Sequence, residues 1–154
     1  MKRSPRIAAV APGVRPLCVL VSWKNGGDPD RIDLAELIRG LKGLAPLRDP
    51  ALFRKVRVKN WAWAIEWPRR GGGLDIGAET LRRLAREQKG ELMPAAQFAR
   101  WRARHKLSLE AAAKALGLGR RTVVLYEQGQ KPIPKTVLLA TIGFDAKSGR
   151  RRAA

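Results

Sequence analysis

Apolar residues recur along this chain in two rhythms, with the change near residues 89–93. The run LCVLVSW at 17–23 is rich in Val and Leu and predicts a buried strand. Asn25-Gly26-Gly27 and Pro29 mark a turn into a second short strand around Arg31 to Asp33. Leu34, Leu37, Ile38 and Leu41 then follow helical spacing, with Asp33 as cap and Gly40, Gly43 and Pro46 limiting the helix. Further strands are expected at 53–58 and 62–67, joined by a turn at Lys59-Asn60-Trp61. Trp61, Trp63 and Trp67 share parity, so one unbroken strand would place them on one face with Ile65 between. Pro68 and Gly71 to Gly73 end that hairpin. Leu74-Asp75-Ile76 leads into a helix over 78–88 that buries Leu81, Leu84 and Ala85.

Beyond residue 93 the pattern is helical throughout. Phe98 and Trp101 stand three apart among Arg100, Arg102 and Arg104, so a helix starting near Pro94 can bury the aromatics and leave the arginines outside. Ser108 is an N-cap for a short helix from Leu109 to Leu116, whose alanines permit close packing. Gly117 ends it, because glycine accepts the left-handed backbone of a sharp turn. Gly119 caps a third helix from Arg120 to about Gln128, stopped by Gly129 and Pro132. There Val123, Tyr126 and Glu127 face one way and Arg120, Arg121, Val124 and Leu125 the other.

The residues Arg102, Leu107-Ser108, Ala113, Leu116-Gly117, Thr122, Glu127, Gly129 and Pro132 together resemble the Xre/Cro, lambda-repressor-like helix-turn-helix family of bacterial and phage DNA-binding domains. The match spans roughly residues 94 to 144. The resemblance implies that helix three enters the major groove, with Arg120, Arg121, Thr122 and Leu125 toward base edges. It also implies a buried ion pair between Arg102 and Glu127, since neither charge could stand alone in that junction. Two departures stand out: Leu109 where the family commonly has a phosphate-holding glutamine, and the apolar Val124 and Leu125 on the recognition helix. Those two can meet thymine methyls, or can be covered by protein in a helix-turn-helix kept only for shape. After Phe144 only DAKSGRRRAA remains, so no fifth helix is expected. The N-terminal pattern, a strand and polar turn, IDLAELI, LFRKVRV, IEWP and LDIGAETL, is similar to a small bacterial domain of unknown function that occurs alone or ahead of a helix-turn-helix. That similarity implies a fold and no chemistry.

Charge sharpens the picture. The 154 residues carry 32 Lys+Arg against 13 Asp+Glu, a formal net charge of +19, which calls for an anionic partner. Nucleic acid is the first such partner, because Lys and Arg contacts to phosphate supply non-specific affinity through counterion release. Lys106, Ser108, Lys114, Gln128, Lys131, Lys135 and the run Arg150, Arg151, Arg152 are the expected phosphate contacts. A single cysteine, Cys18, cannot form an internal disulfide and reads as a buried thiol in a reduced compartment. No eighteen-residue apolar stretch exists and IAAVA is too short for a signal-peptide core, so a cytoplasmic protein without membrane contact is expected.

Catalytic constellations are weak, and the chain reads as a non-enzyme without metal or cofactor. The triple glycine lacks the Gly-Lys-Ser/Thr of a phosphate loop. His105, the only histidine, has no metal-ligand companions and is expected to face solvent or a phosphate. Asp28, Asp30 and Asp33 lack the glycine and distal glutamate of a calcium loop, which leaves turn polarity and capping. The tryptophans of the hairpin serve first as core for a small sheet, and second as an exposed platform for a protein or single-stranded nucleic acid beside Arg54, Lys55, Arg57 and Lys59.

The expected layout is a flexible basic leader (1–14), a small α+β domain with an antiparallel sheet and two helices (15–90), an all-α lambda-repressor-like helix-turn-helix domain (94–144) and a basic tail (145–154). The expected function is a sequence-specific regulator binding double-stranded DNA as a homodimer on an inverted repeat, the N-terminal domain dimerising or sensing. Two alternatives stand beside it: an antitoxin-like module that masks a small protein partner, its helix-turn-helix autoregulatory or degenerate, and an RNA binder using the tryptophan hairpin.

Overall fold

A computed structural model describes residues 4–153. The chain divides between Ala85 and Arg86 into two compact units. The first is built on two antiparallel sheets. Strands β1 (Ile7–Pro12), β2 (Cys18–Trp23) and β3 (Asp30–Asp33) pair in that order, with β2 in the middle. Both faces of β2 are engaged: Cys18, Val19, Val21 and Trp23 are all buried, as its near-continuous apolar run requires. Strand β1 is a correction to the expected flexible leader. Ile7 is wholly buried opposite Trp23, and the alanines of IAAVA hid a paired strand from a pattern that looks for Val, Ile and aromatics. Residues 1–3 of that leader lie outside the described residues.

The second sheet joins β4 (Arg57–Val58), β5 (Ala64–Trp67) and β6 (Leu74–Gly77). Three helices flank these strands: α1 (Ala35–Gly40), α2 (Pro50–Phe53) and α3 (Ala78–Gln88), with 3-10 turns at Lys42–Arg48 and Asn60–Ala62. Asp33 accepts a hydrogen bond from the Ala35 N–H at 2.8 Å, one residue before the N-cap position of α1, which Leu34 occupies. The strand expected at 53–58 is cut to two residues. Asp49 accepts from the Ala51 N–H at 3.0 Å and Pro50 opens α2, so the chain is already helical as it reaches Phe53. Around Leu34, Ile38, Leu47, Ile65, Trp67, Ile76 and Leu81 one apolar core forms. Trp67 is fully buried, donates its indole N–H to the Phe53 carbonyl at 2.9 Å and lies 5.6 Å from the Phe53 ring. Asp30 departs from the turn role expected of it. It is buried, and it accepts the Trp23 indole N–H at 2.7 Å.

The second unit is helical, with one short ladder between β7 (Leu92–Met93) and β8 (Ile133–Pro134). Its helices are α4 (Ala95–Arg104), α5 (Leu109–Leu116), α6 (Arg120–Glu127) and α7 (Lys135–Ala153). Phe98, Trp101, Ala112, Ala113, Val123, Tyr126, Ile133 and Val137 fill its core. Small alanines on α5 let it lie close to α6, and the Phe98 ring meets Tyr126 edge-on at 5.7 Å. The final ten residues, expected as a basic tail, continue α7 as far as Ala153. Arg150, Arg151 and Arg152 occupy its last turn, where cations complement the helix dipole.

Candidate nucleic-acid interface

The helix-turn-helix is set by local signals at each end of its helices. Ser108 is the N-cap of α5, its hydroxyl oxygen accepting from the Ala111 N–H at 3.0 Å. Gly117 terminates α5 with φ 67°, and the Leu118 N–H returns to the Ala113 carbonyl at 2.8 Å. Helix α6 starts at Arg120 and ends where Gly129 takes φ 68° and the Gln130 N–H reaches the Leu125 carbonyl at 3.0 Å. These turns leave little freedom in how α6 is presented.

From behind, α6 is clamped by charge. Arg102 on α4 donates through Nη2 to Glu127 Oε2 at 3.0 Å, while its Nε donates to Oε1, so the two planar groups meet as a fork. A third donor, Nη1, reaches the Leu107 carbonyl at 2.8 Å and ties in the α4–α5 turn. The pair is not fully enclosed as expected: the side chains keep 26% and 19% of their accessibility. It lies at the rim of the core, where water screens it in part.

Arg120 and Arg121 are both exposed in the first turn of α6, and Gln128 is exposed at its end. Thr122, Val124 and Leu125 are half-buried. Val124 and Leu125 stand outside the core cluster that holds Val123 and Tyr126. Lys106, Ser108, Lys114, Lys131 and Lys135 are exposed. Lys106 holds φ 53° in the turn after α4, and Lys135 opens α7, where the helix dipole does not favour a cation. Leu109, in place of the family's glutamine, packs against the core.

One structural group escaped sequence reasoning. Asp145 on α7 accepts from Trp101 Nε1 at 3.0 Å and Arg104 Nη2 at 2.6 Å, and its Oδ1 lies 2.6 Å from His105 Nε2. His105 is therefore no solvent-facing side chain. Its ring lies 5.7 Å from Trp101 and 5.0 Å from Phe144, and only 14% of the side chain is accessible. Burial raises the Asp145 carboxyl, and the donors His105, Trp101 and Arg104 outweigh it, so the pKa falls below the ordinary value. The available signal was faint: Asp145 is the only acidic residue after Glu127.

In the first unit, burial and then the Asp33 carboxylate across the ladder push the Cys18 thiol up, away from a reactive thiolate. Among the described residues no group of three or more His, Cys, Asp and Glu is placed to hold a metal, and no helix is long and apolar enough to cross a membrane.

Residues 95–142 match the family described as "Helix-turn-helix domain". No curated protein matches the chain. A solved structure from Nitrosomonas europaea ATCC 19718, described as a "Putative DNA Binding Protein", is 32% identical, with a TM-score of 0.50 over 92% of this chain and 87% of that one. The chain belongs to one family with that protein, and it carries a helix-turn-helix domain over residues 95–142.

Proposed function

We propose that this protein is a cytoplasmic, non-enzymatic transcriptional regulator of the Xre type that reads double-stranded DNA through α6. The observation that carries the proposal is the pair Arg120 and Arg121, exposed on the first turn of a helix whose last turn is tied to α4 through Glu127. Arginine in that position can form bidentate hydrogen bonds to guanine, each worth about 1–3 kcal/mol of discrimination. Thr122 and Leu125 complete the base-reading face, with Leu125 and Val124 suited to thymine methyls. Lys106, Ser108, Lys114, Gln128, Lys131, Lys135 and Arg150 to Arg152 supply the phosphate contacts. The Ser108 oxygen already serves as cap acceptor, so its O–H is the group left to donate.

Reading an inverted repeat requires two copies. Leu139 and Ile142, 55% and 54% exposed on α7, give a candidate apolar face for the second copy. The α+β unit takes the dimerising or sensing role. The test at residue level is Arg121→Ala measured on an operator and on guanine-substituted operators. Loss of discrimination at one base pair is expected, whereas an equal loss on every duplex would remove Arg121 from base reading.

A further inference from the structure

The three tryptophans of the 61–67 segment part company in the fold. Trp67 is core, Trp63 is 46% exposed, and Trp61 is 81% exposed. Their shared parity fails because the chain is not extended there: Trp61 and Ala62 hold φ 68° and 62° inside the loop that Lys59 and Ala64 close at 2.8 Å. Two consecutive non-glycine residues in left-handed backbone are costly, and the cost gives the fold no apolar burial at Trp61. Arg6 holds the loop in place. Its guanidinium lies 3.6 Å from the Trp63 ring centroid and donates to the Trp61 carbonyl at 2.9 Å. One indole is thus capped by a cation and the next stands bare beside it.

The charge around that indole is asymmetric. Arg57 pairs with Glu66 at 3.0 Å and Lys59 pairs with Asp75, yet Arg57 and Lys59 remain 63% and 46% exposed. The hydrogen bond from Lys59 also raises its pKa, which secures its charge. Just beyond the β1–β2 ladder the Lys24 N–H donates to the Arg6 carbonyl at 2.9 Å, so two basic residues adjoin in the backbone there. Arg54 and Lys55, both exposed, lead into β4 toward the loop. Cations therefore outnumber carboxylates along the approach to Trp61. An apolar protein contact would gain little from that ring of charge, whereas a strand of unpaired nucleotides matches both features: phosphate for the cations and a base face for the indole.

We propose that the Trp61 loop is a binding site for single-stranded nucleic acid, with one base stacked on Trp61 and the flanking phosphates met by Arg6, Arg57 and Lys59. This site belongs to the α+β unit and goes beyond the duplex reading assigned to α6. The test uses the full chain and a labelled twelve-nucleotide oligothymidylate, with fluorescence anisotropy for affinity and tryptophan emission for stacking. Wild type should bind with quenching. Trp61→Ala should lose the quenching and at least fivefold in affinity, while its affinity for duplex DNA stays unchanged. Trp61→Gly, which suits φ 68°, should lose the same binding yet melt at a higher temperature than wild type, so the loss cannot be ascribed to misfolding. Arg121→Ala should leave oligothymidylate binding intact, which separates this site from the duplex interface. Equal oligothymidylate affinity in wild type and Trp61→Ala would overturn the proposal, as would failure of the wild type to bind.

Discussion

Glu127→Ala removes one half of the clamp behind α6 and leaves Arg102 facing a space it was built to fill. The size of the effect follows from the accessibility of the two side chains. A solvent-exposed pair contributes about 0–1 kcal/mol, and removing one partner of a fully buried pair costs about 3–5 kcal/mol. With 26% and 19% of the side chains accessible, and two of the Arg102 donors directed at Glu127, the loss should be about 2 kcal/mol. The bond from Nη1 to the Leu107 carbonyl survives and limits the damage. In a unit of this size about 2 kcal/mol corresponds to a fall of roughly 10 °C in Tm. Urea unfolding followed by far-ultraviolet circular dichroism measures it, and Glu127→Gln should recover part of the loss by keeping an acceptor. If Arg102→Ala, Glu127→Ala and the double variant were each independent and additive, the two residues would not act as a pair. An unchanged midpoint in Glu127→Ala would refute the clamp outright.

Other consequences can be checked on the same material. Because the pKa of Asp145 is depressed in the fold, its carboxylate contributes stability above its unfolded value near pH 4, and that contribution is lost as pH falls through the folded value. Asp145→Asn should therefore lower Tm at pH 7, with the gap to wild type closing below about pH 4 in thermal melts. Gly117→Ala meets no atom within 4 Å but must hold φ 67°, so its cost of about 1 kcal/mol comes from backbone alone and shows in the urea midpoint. Trp67→Ala opens the first core and breaks the bond to Phe53, a loss of about 3–5 kcal/mol that limited proteolysis should register within the α+β unit. If α7 carries the proposed dimer contact, charging its exposed face with Leu139→Glu and Ile142→Glu should convert that dimer to a monomer in sedimentation, with the helical signal retained.

The legible parts of this chain are those where short-range chemistry decides. Helix α5 runs from Leu109 to Leu116 as its sequence predicts, because Ser108 caps one end and Gly117 turns the other, and both signals sit within three residues of their effect. The apolar spacing of Phe98 and Trp101 and of Val123 and Tyr126 likewise names the core of the second unit. What stayed hidden depends on distant partners or on backbone that breaks a period. Half of strand β1 is alanine, and only pairing with β2 makes it a strand. The tryptophan parity fails at two left-handed residues that no local rule assigns to Trp or Ala. Asp145 reaches Trp101, Arg104 and His105 across some forty positions, so neither its role nor the burial of His105 could be read from neighbours. The site residues follow the same division. Exposure of Arg120 and Arg121 follows from helix period, whereas the contacts they make depend on a duplex whose sequence the chain does not encode.

The most direct measurement is selection of binding sites from a random duplex library with the 154-residue protein, repeated at two salt concentrations. The expected result is an enriched inverted repeat with half-sites about one helical turn apart, retained at the higher salt and degraded at one guanine position by Arg121→Ala. Binding that enriches no site and disappears at the higher salt would contradict it, and would leave the positive charge of this chain as a phosphate-seeking surface only.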